Sequence, residues 1–303
     1  MRPFRLFDAS LRFVERWLWG DRPHEPEVSH AQDGPMISYA QNGEDVLLAR
    51  AFKGQTRGFY IDVGANDPVA DSVTKFFYDR GFCGINIEPG RVFDKLTLAR
   101  SRDINLQIAL SDREGECTFY EFPDCDGLST LSAYVPAHQN LPCVERTAVV
   151  ATLAGVCEKY VQGTIDFLKI DVEGHEPEVI AGGDWRRWRP RIVVVESPTL
   201  DDGDGPHLQW EPRLLEADYL FAASDGLNRY YVRREDERLL GCFRRPPNVL
   251  DNYVPYRFIQ PVQATQPKGN LGPLALSAAR WLQKVIDVAG FWYPRQLTNK
   301  GTF

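Results

Sequence analysis

Apolar and polar positions alternate along the chain in short blocks that predict strands and helices in turn. Strands are predicted at 58–66, 84–89, 104–110, 165–172 and 191–196, with a hairpin at 219–224 and 229–232. Helices are predicted at 38–52, 71–78, 92–100, 152–161 and 173–181, and within 206–218. Strands that alternate with helices are typical of a parallel sheet covered on both faces. We therefore expect an α/β fold whose mostly parallel, twisted sheet is closed by an antiparallel hairpin.

Two segments of this central region add detail to that prediction. The helix at 38–52 is expected to be capped by Ser38 and to turn Val46, Leu47 and Phe52 inward. Residues 116–122 alternate after a turn and predict an added antiparallel strand, whereas 123–145 are interpreted as an irregular insertion. Long loops of this kind at strand ends often carry ligand contacts.

The two ends of the chain differ from its centre and divide it into three parts: 1–35, 36–260 and 261–303. Met1–Trp19 predicts an amphipathic helix with arginines on its polar side, joined by a polar linker at 21–35. A second linker at 262–272 precedes an amphipathic helix at 274–288. Helices of this kind pack on their own domain, on a partner protein or on an anionic membrane surface, and the pattern does not choose among these.

The strand at 58–66 and the strand at 84–89 predict half of a nucleoside-binding site. Gly64 allows a sharp turn and the approach of a ligand to the backbone. Glu88 ends the second strand, where a carboxylate can accept hydrogen bonds from both hydroxyls of a ribose. The turn lacks G-x-G-x-x-G, which argues against a dinucleotide and hence against a nicotinamide dehydrogenase. A nucleoside with an amino-acid tail, such as S-adenosylmethionine, fits better.

Charged residues interrupt the otherwise apolar strand at 165–172. Lys169, Asp171 and Glu173 share one face by alternation, and buried charges are costly unless they act or pair. We favour Asp171 as a functional group, followed by Glu173; the alternative is a structural pair of Lys169 with Asp171. Glu196 ends the neighbouring strand, so it and Asp171 could hold Mg²⁺ or another divalent metal, although two ligands alone do not decide this.

Composition narrows the compartment and the partners. A net charge of −7 argues against a nucleic-acid surface, and the six cysteines contain no C-x-x-C pair that would suggest zinc. No apolar run reaches the roughly 20 residues that span a bilayer. We expect a cytoplasmic protein with reduced thiols, either free or peripheral to the inner membrane through its terminal helices.

Seven motifs in order resemble one family. They are SYAQNGED (38–45), DVGANDP (62–68), GINIEP (84–89), LST (128–130), FLKIDVEG (167–174), HLQWE (207–211) and DGLNRYYV (225–232). Over roughly residues 36 to 256 the chain resembles the FkbM-family methyltransferases, in a branch found with bacterial glycan assembly. The resemblance implies a Rossmann-like fold and an S-adenosylmethionine-dependent O-methyltransferase that acts on a sugar hydroxyl of a glycan or glycosylated metabolite. It also makes a glycosyltransferase a possible partner for the terminal helices.

The resemblance and the strand ends together give a set of expected site residues. His207, on the loop after the fifth strand, is the favoured general base, with Asp171, Lys169 and Glu196 as the other catalytic candidates. The expected cofactor contacts are Tyr39, Gln41, Asp62, Gly64, Asn66, Ser72, Glu88, Ala109, Leu110 and Asp171. The expected acceptor contacts are Ser129, Thr130, Glu173, His175, Asp225 and Asn228. Methyl transfer to another oxygen or to nitrogen, and a binding module without turnover, are the alternatives.

Overall fold

A computed structural model describes residues 34–138, 141–198 and 205–259 of this protein. The predicted helix at Met1–Trp19, most of the first linker, the second linker and the helix at 274–288 lie outside the described residues. Among the helices of the described ranges, none is long and apolar enough to cross a membrane.

Short strands and helices alternate along the described chain, as predicted. The strands are β1 (Met36–Ser38), β2 (Phe59–Val63), β3 (Cys83–Ile87), β4 (Ile104–Leu106), β5 (Ala109–Leu110), β6 (Gly115–Glu121), β7 (Val144–Ala151), β8 (Phe167–Ile170), β9 (Ile192–Glu196), β10 (Tyr219–Ser224), β11 (Asn228–Arg233) and β12 (Tyr253–Pro255). The α-helices are α1 (Glu44–Ala51), α2 (Lys75–Asp79), α3 (Phe93–Ala99), α4 (Tyr134–His138), α5 (Leu153–Tyr160), α6 (Glu176–Ala181) and α7 (Glu211–Glu216). Short 3₁₀ helices occupy Asp126–Leu128, Pro206–Gln209, Arg234–Phe243 and Val249–Asp251.

A seven-stranded sheet with the order β10-β11-β9-β8-β2-β3-β4 forms the centre of the fold. β4, β3, β2, β8 and β9 are parallel, and β11 pairs antiparallel with both β9 and β10. The strand order reverses direction at β2, and such switch points lie beside ligand sites in open α/β sheets. The predicted fold class, a Rossmann-like parallel sheet closed by an antiparallel hairpin, is confirmed.

Two hydrophobic cores cover the two faces of this sheet. On one face, called here the α5 face, Val193 and Val195 of β9 pack with residues of α5, α6 and α7. On the other, the α1 face, Ile192 and Val194 pack with α1 and α2 and with a group of phenylalanines. β9 is therefore apolar on both faces, as its β-branched sequence predicted. Burial of each such large side chain contributes about 1.5–3 kcal/mol.

The segment before α1 differs from the prediction. Ser38 does not cap a helix; it ends β1, which pairs in parallel with β12 near the other end of the described chain. α1 begins later, at Glu44, with Gly43 at its N-cap in a left-handed conformation (φ 78°). Val46, Leu47 and Phe52 are buried as expected. The Ser38 hydroxyl instead donates to Asp45, which fixes β1 to the start of α1.

The segment after β4 also differs from the prediction. The expected strand at 104–110 is two strands, because β4 joins the main sheet whereas β5 joins a separate three-stranded sheet with the order β5-β7-β6. The strand predicted at 116–122 is present as β6 and is antiparallel, but its partner is β7. β7 begins within the stretch interpreted as an irregular insertion, so that interpretation was wrong for its last residues.

Candidate active site

The carboxyl end of β2 runs into a turn that is packed directly against the end of β8. Gly64 has φ 78°, and a Cβ at this position would lie 1.8 Å from the carbonyl oxygen of Asp171. The amides of Gly64 and Ala65 both donate to the carbonyl of Ile87, at 3.0 and 3.1 Å. The backbone of residue 171 fills the space where a side chain would lie, and the expectation that a ligand approaches the backbone of Gly64 stays a prediction. Its glycine conformation is nonetheless required for the turn.

Glu88 lies at the tip of β3, 6% exposed, and joins two loops. One carboxylate oxygen accepts a hydrogen bond from the Asn66 amide at 2.9 Å, and the other accepts one from the Gly90 amide at 2.7 Å. Burial raises the pKa of this carboxyl, although the two amides act in the opposite direction. Each oxygen has a second lone pair, so the group keeps acceptor capacity towards a ligand.

At the carboxyl ends of β8 and β9, the side chains of Lys169, Asp171 and Glu196 form a connected group. Lys169 donates to Asp171 at 2.8 Å, and its side chain is 8% exposed. Burial opposes the charged form of Asp171, but the Lys169 ammonium and a hydrogen bond with Glu196 outweigh it and lower the Asp171 pKa. Burial and the charges of Asp171 and Glu173 raise the pKa of Glu196 to about 10. At neutral pH, Glu196 is therefore protonated and donates to an ionised Asp171.

Burial tends to lower the pKa of Lys169 as well, but the charges of Asp171 and Asp62 outweigh burial and raise it. Lys169 is therefore a permanent cation between two acids. The buried pair of Lys169 with Asp171, which the sequence analysis gave as an alternative to a functional role, is thus present. It forms part of the group of acids at the ends of the strands.

Glu173 completes this acidic group from the turn after β8. It has φ 54°, a left-handed conformation that is uncommon for glutamate. One carboxylate oxygen each from Asp171, Glu173 and Glu196 lies within 4.8 Å of the others. Burial, followed by the charge of Asp171, raises the pKa of Glu173 to about 8. We call Asp171, Glu173 and Glu196 the carboxylate cluster.

His207 is buried on the loop that follows β9. Its side chain is 3% exposed, within the 3₁₀ helix Pro206–Gln209. It is a neighbour of Glu211, which accepts hydrogen bonds from Arg229 and from Tyr231, a residue of the α5 face. By the alternation of β8, Lys169 projects from the α1 face together with Phe167. His207 is thus associated with Glu211 on the opposite side of the sheet, and its role as general base stays a prediction.

Comparison with known proteins identifies the family. The sequence profile of the Methyltransferase FkbM domain matches residues 62–221. This match covers more than half of the 303 residues. The chain belongs to the FkbM methyltransferase family. It is accordingly an S-adenosylmethionine-dependent methyltransferase, as the motifs predicted.

Two solved structures resemble this FkbM-family protein over most of its length. One is an O-methyltransferase from Bacillus cereus in complex with SAH, 10% identical, with a TM-score of 0.32 over 77% of this chain and 93% of that chain. The other is a putative O-methyltransferase from Klebsiella pneumoniae, 12% identical, with a TM-score of 0.28 over 77% of this chain and 92% of that chain. At these scores the likeness carries no argument about the site. No curated protein matches the sequence.

Asp62 supplies a test of whether the cofactor of the FkbM family fits this edge of the sheet. Its side chain is 2% exposed, and one oxygen accepts a hydrogen bond from Thr74 at 2.8 Å. The other oxygen is buried and has no hydrogen-bond partner within the described part of the chain. A buried acceptor of this kind is costly unless a ligand satisfies it. The ammonium of an amino-acid tail supplies such a donor, so the residues present fit S-adenosylmethionine.

The remaining residues expected at the cofactor are distributed over several elements. Ser72 is buried and accepts a hydrogen bond from Arg100 at 2.8 Å, within the core network. The amide of Tyr39 donates to Asp45, and Gln41 is exposed. Ala109 and Leu110 form β5, beyond the end of β4. Among the expected cofactor residues, the structure brings Asp62, Gly64, Asn66 and Glu88 together at the ends of β2 and β3.

Most of the residues expected at the acceptor lie in two places, the loop around Thr130 and the hairpin turn between β10 and β11. Thr130 lies against the turn after β8, with its hydroxyl 2.9 Å from the Val172 carbonyl and 3.0 Å from that of Glu173. Ser129, one residue before it, accepts from the Phe122 amide. In the hairpin turn, Asp225 accepts hydrogen bonds from the amides of residues 227 and 228 and from a tyrosine hydroxyl, which is a structural role.

Asn228 pairs with Glu196 in the sheet register and donates to Glu44 at 2.9 Å, so it links the carboxylate cluster to α1. His175 is the N-cap residue of α6, and its ring contacts Ser111.

Two polar residues that support the site were not identified from the sequence. Glu176 accepts hydrogen bonds from the amides of Val172 and Gly174, at 3.0 and 3.2 Å, and so holds the turn that carries Glu173. Thr74 orients Asp62. An acid three residues after Glu173, at the start of a helix, was a signal for the first, because acids favour helix N-termini. No local pattern pointed to Thr74.

Proposed function

We propose that this protein transfers a methyl group from S-adenosylmethionine to a hydroxyl of a sugar, in a glycan or a glycosylated metabolite. The observation that supports the proposal most strongly is the carboxylate cluster. It lies at the ends of β8 and β9, next to the strands whose ends carry Asp62 and Glu88. A proton-accepting group beside a methyl donor is what methylation of a hydroxyl requires.

The residues of β2 and β3 would hold the donor. Glu88 would accept hydrogen bonds from the ribose hydroxyls, and the unpaired oxygen of Asp62 would accept one from the α-ammonium. Bound S-adenosylmethionine supplies an electrophilic methyl group on a sulfonium. The turn at Gly64, anchored to the backbone of residue 171, sets the spacing between this donor half and the cluster.

Glu173 is the group in the cluster best suited to accept the proton of the acceptor hydroxyl. Its pKa, raised to about 8, lies close to a physiological pH, where a general base is most effective. Asp171, ionised beside Lys169, would orient the hydroxyl, and Glu196 would donate a hydrogen bond. The strained backbone of Glu173, held by Glu176 and Thr130, keeps its carboxylate in place.

A sugar acceptor suits the chemistry of this edge. Three carboxyl groups offer several acceptors and one donor within a small volume, which matches neighbouring hydroxyls better than an isolated phenol or amine. The family resemblance to glycan-associated methyltransferases agrees with this choice.

The cluster also fits a divalent metal. Its three carboxylates are the hard oxygen ligands that Mg²⁺ or Mn²⁺ prefers. Asp171, Glu173 and Glu196 would hold the ion, which would lower the pKa of a coordinated hydroxyl.

The proposal is tested with S-adenosylmethionine labelled in its methyl group, offered with a panel of nucleotide sugars, free glycosides and cell-envelope glycans. Label should appear on a sugar oxygen, and Glu173→Gln should abolish this while S-adenosylmethionine still binds. Ser132→Ala, on the loop beside Gly174, serves as a matched control and should transfer label normally. Label on nitrogen, or transfer only to non-sugar acceptors, would overturn the sugar assignment. Full activity in EDTA would exclude a readily removed metal.

A further inference from the structure

Outside the carboxylate cluster, a separate cleft of about 310 Å³ lies between the small β5-β7-β6 sheet and α6. It is lined by Ser111, His175 and Glu178, among other residues. The methyl-transfer proposal gives this cleft no role, and its chemistry differs from that of the cluster.

Three side chains lie next to one another in this cleft in the order serine, imidazole, carboxylate. Ser111 Oγ lies 3.1 Å from His175 Nε2, and the same hydroxyl donates to Asp112 Oδ1 at 3.2 Å. On the other side of the ring, His175 Nδ1 lies 3.4 Å from a carboxylate oxygen of Glu178. A hydroxyl and a base within hydrogen-bond reach, with the base oriented by a third group, are the geometric signature of an activated nucleophile.

The backbone holds the serine rigidly in this position. Ser111 follows β5 directly, and its amide donates to the Ala151 carbonyl at 3.0 Å. A Cβ on Gly182, at the end of α6, would lie 2.2 Å from the Ser111 carbonyl oxygen, so this glycine lets α6 pack tightly against Ser111. His175 is the N-cap residue of α6 and Glu178 lies in the first turn of that helix, which places the carboxylate beside the imidazole.

The charged groups around His175 are of both signs. Glu178 and Asp112 are acids near the imidazole, and Arg113 is a cation on the same side of the fold. Arg113 also lines the cleft, where a cation suits the negative charge that develops on a carbonyl oxygen during acyl transfer.

We propose that this cleft is a second reaction centre, an esterase-type site in which Ser111 is transiently acylated by a small carboxylic ester. Ser111 Oγ bonds to the carbonyl carbon while its proton passes to His175 Nε2. The same proton goes to the departing alcohol as its bond to the carbon breaks. Water then attacks the acyl carbon, giving one proton to His175 and releasing the carboxylic acid, and His175 returns that proton to Ser111. Ser111 and His175 are catalytic here, and Glu178 is a positioning residue.

The full-length chain would be treated with a small fluorophosphonate, which forms a stable bond to activated serines, and the modified peptide located by mass spectrometry. Hydrolysis of 4-nitrophenyl acetate would be followed in parallel. We expect label on Ser111, lost in Ser111→Ala and slowed by about 10²–10⁴-fold in His175→Gln, the range for loss of a general base. Ser132→Ala, a nearby serine beside Gly174, is the matched control and should be labelled at Ser111 like the natural chain.

Glu178 is tested by rescue with the conservative variant. Glu178→Gln should slow the labelling of Ser111, and Glu178→Asp, which keeps a carboxylate beside the imidazole, should restore it. Absence of label on Ser111 in the natural chain would overturn the proposal. Label that persists at the same rate in His175→Gln would also overturn it. Neither result bears on methyl transfer, because the readout uses no S-adenosylmethionine.

Discussion

Neutralising Glu88 should separate its structural role from its role in cofactor binding. In Glu88→Gln, one oxygen still accepts a backbone amide, but an NH₂ group replaces the oxygen that accepted the other. One charged hydrogen bond is lost, and either Asn66 or Gly90 keeps a buried, unpaired N–H. We expect the free energy of unfolding to fall by about 1.5–3 kcal/mol. Loss of one charged hydrogen bond to the ribose should weaken S-adenosylmethionine binding by about 10- to 150-fold.

Asp103 provides a matched control for this experiment. It is a buried acid that accepts hydrogen bonds from the Gly84 amide at 2.9 Å and from the Tyr60 hydroxyl at 2.6 Å. It precedes β4, at the end of the sheet opposite the site. Asp103→Asn should lose a similar stability but leave cofactor affinity unchanged.

Denaturant unfolding would give the stability of each variant, and titration calorimetry below the unfolding range would give the affinity for S-adenosylmethionine. Wild-type affinity in Glu88→Gln would refute the assignment to the ribose. An equal loss of affinity in Asp103→Asn would show that the effect reflects the fold and not a contact.

Two further predictions concern the carboxylate cluster and the turn behind it. Because a general base must be ionised, turnover should rise as pH increases through about 8, the pKa of Glu173, and Glu173→Gln should lose this rise. If His207→Ala removes it instead, the base is His207. Gly64→Ala forces a left-handed alanine and a contact of 1.8 Å with the carbonyl of Asp171, so it should lose about 2–5 kcal/mol of unfolding free energy. A melting temperature equal to that of the natural chain would contradict this.

The central strands could be predicted because their sequence pattern is local. β2, β3, β8 and β9 are apolar runs that lie within the main sheet, and β10 and β11 flank an Asp-Gly turn. Such runs need only the neighbouring residues to be recognised. The proximity of Asp171 and Glu196 could also be predicted, because side chains at the ends of adjacent parallel strands come together in space.

The pairings that were missed depend on residues far apart in sequence or on exposed strands. β1 pairs with β12 more than two hundred residues later, so nothing near Ser38 indicates a strand. β7 is mostly exposed over its first four residues, and its pairing with β6 therefore leaves little hydrophobic signal. The group formed by Ser111, His175 and Glu178 was missed for the same reason, because Ser111 and His175 are 64 residues apart in the sequence.

Protonation within the site could not be predicted from the sequence either. The order of residues placed Asp171 and Glu196 on adjacent strands, but it did not show which of them carries the proton. That follows from Lys169, which stabilises the charge on Asp171, and from burial, which opposes a second charge on Glu196. Burial and three-dimensional neighbours decide such differences.

The contact between Gly64 and the Asp171 carbonyl limits how this enzyme can be redesigned. The donor half and the acceptor half of the site meet there through closely packed backbone, because residue 64 has no side chain. An engineer who wishes to change the acceptor cannot gain room by altering residue 64, because any larger residue displaces the strand end that carries the cluster. Substitutions that change the acceptor must instead be made in the loops at the ends of the strands, such as the segment around Thr130. These loops can be varied while the packing of Gly64 against residue 171 is kept.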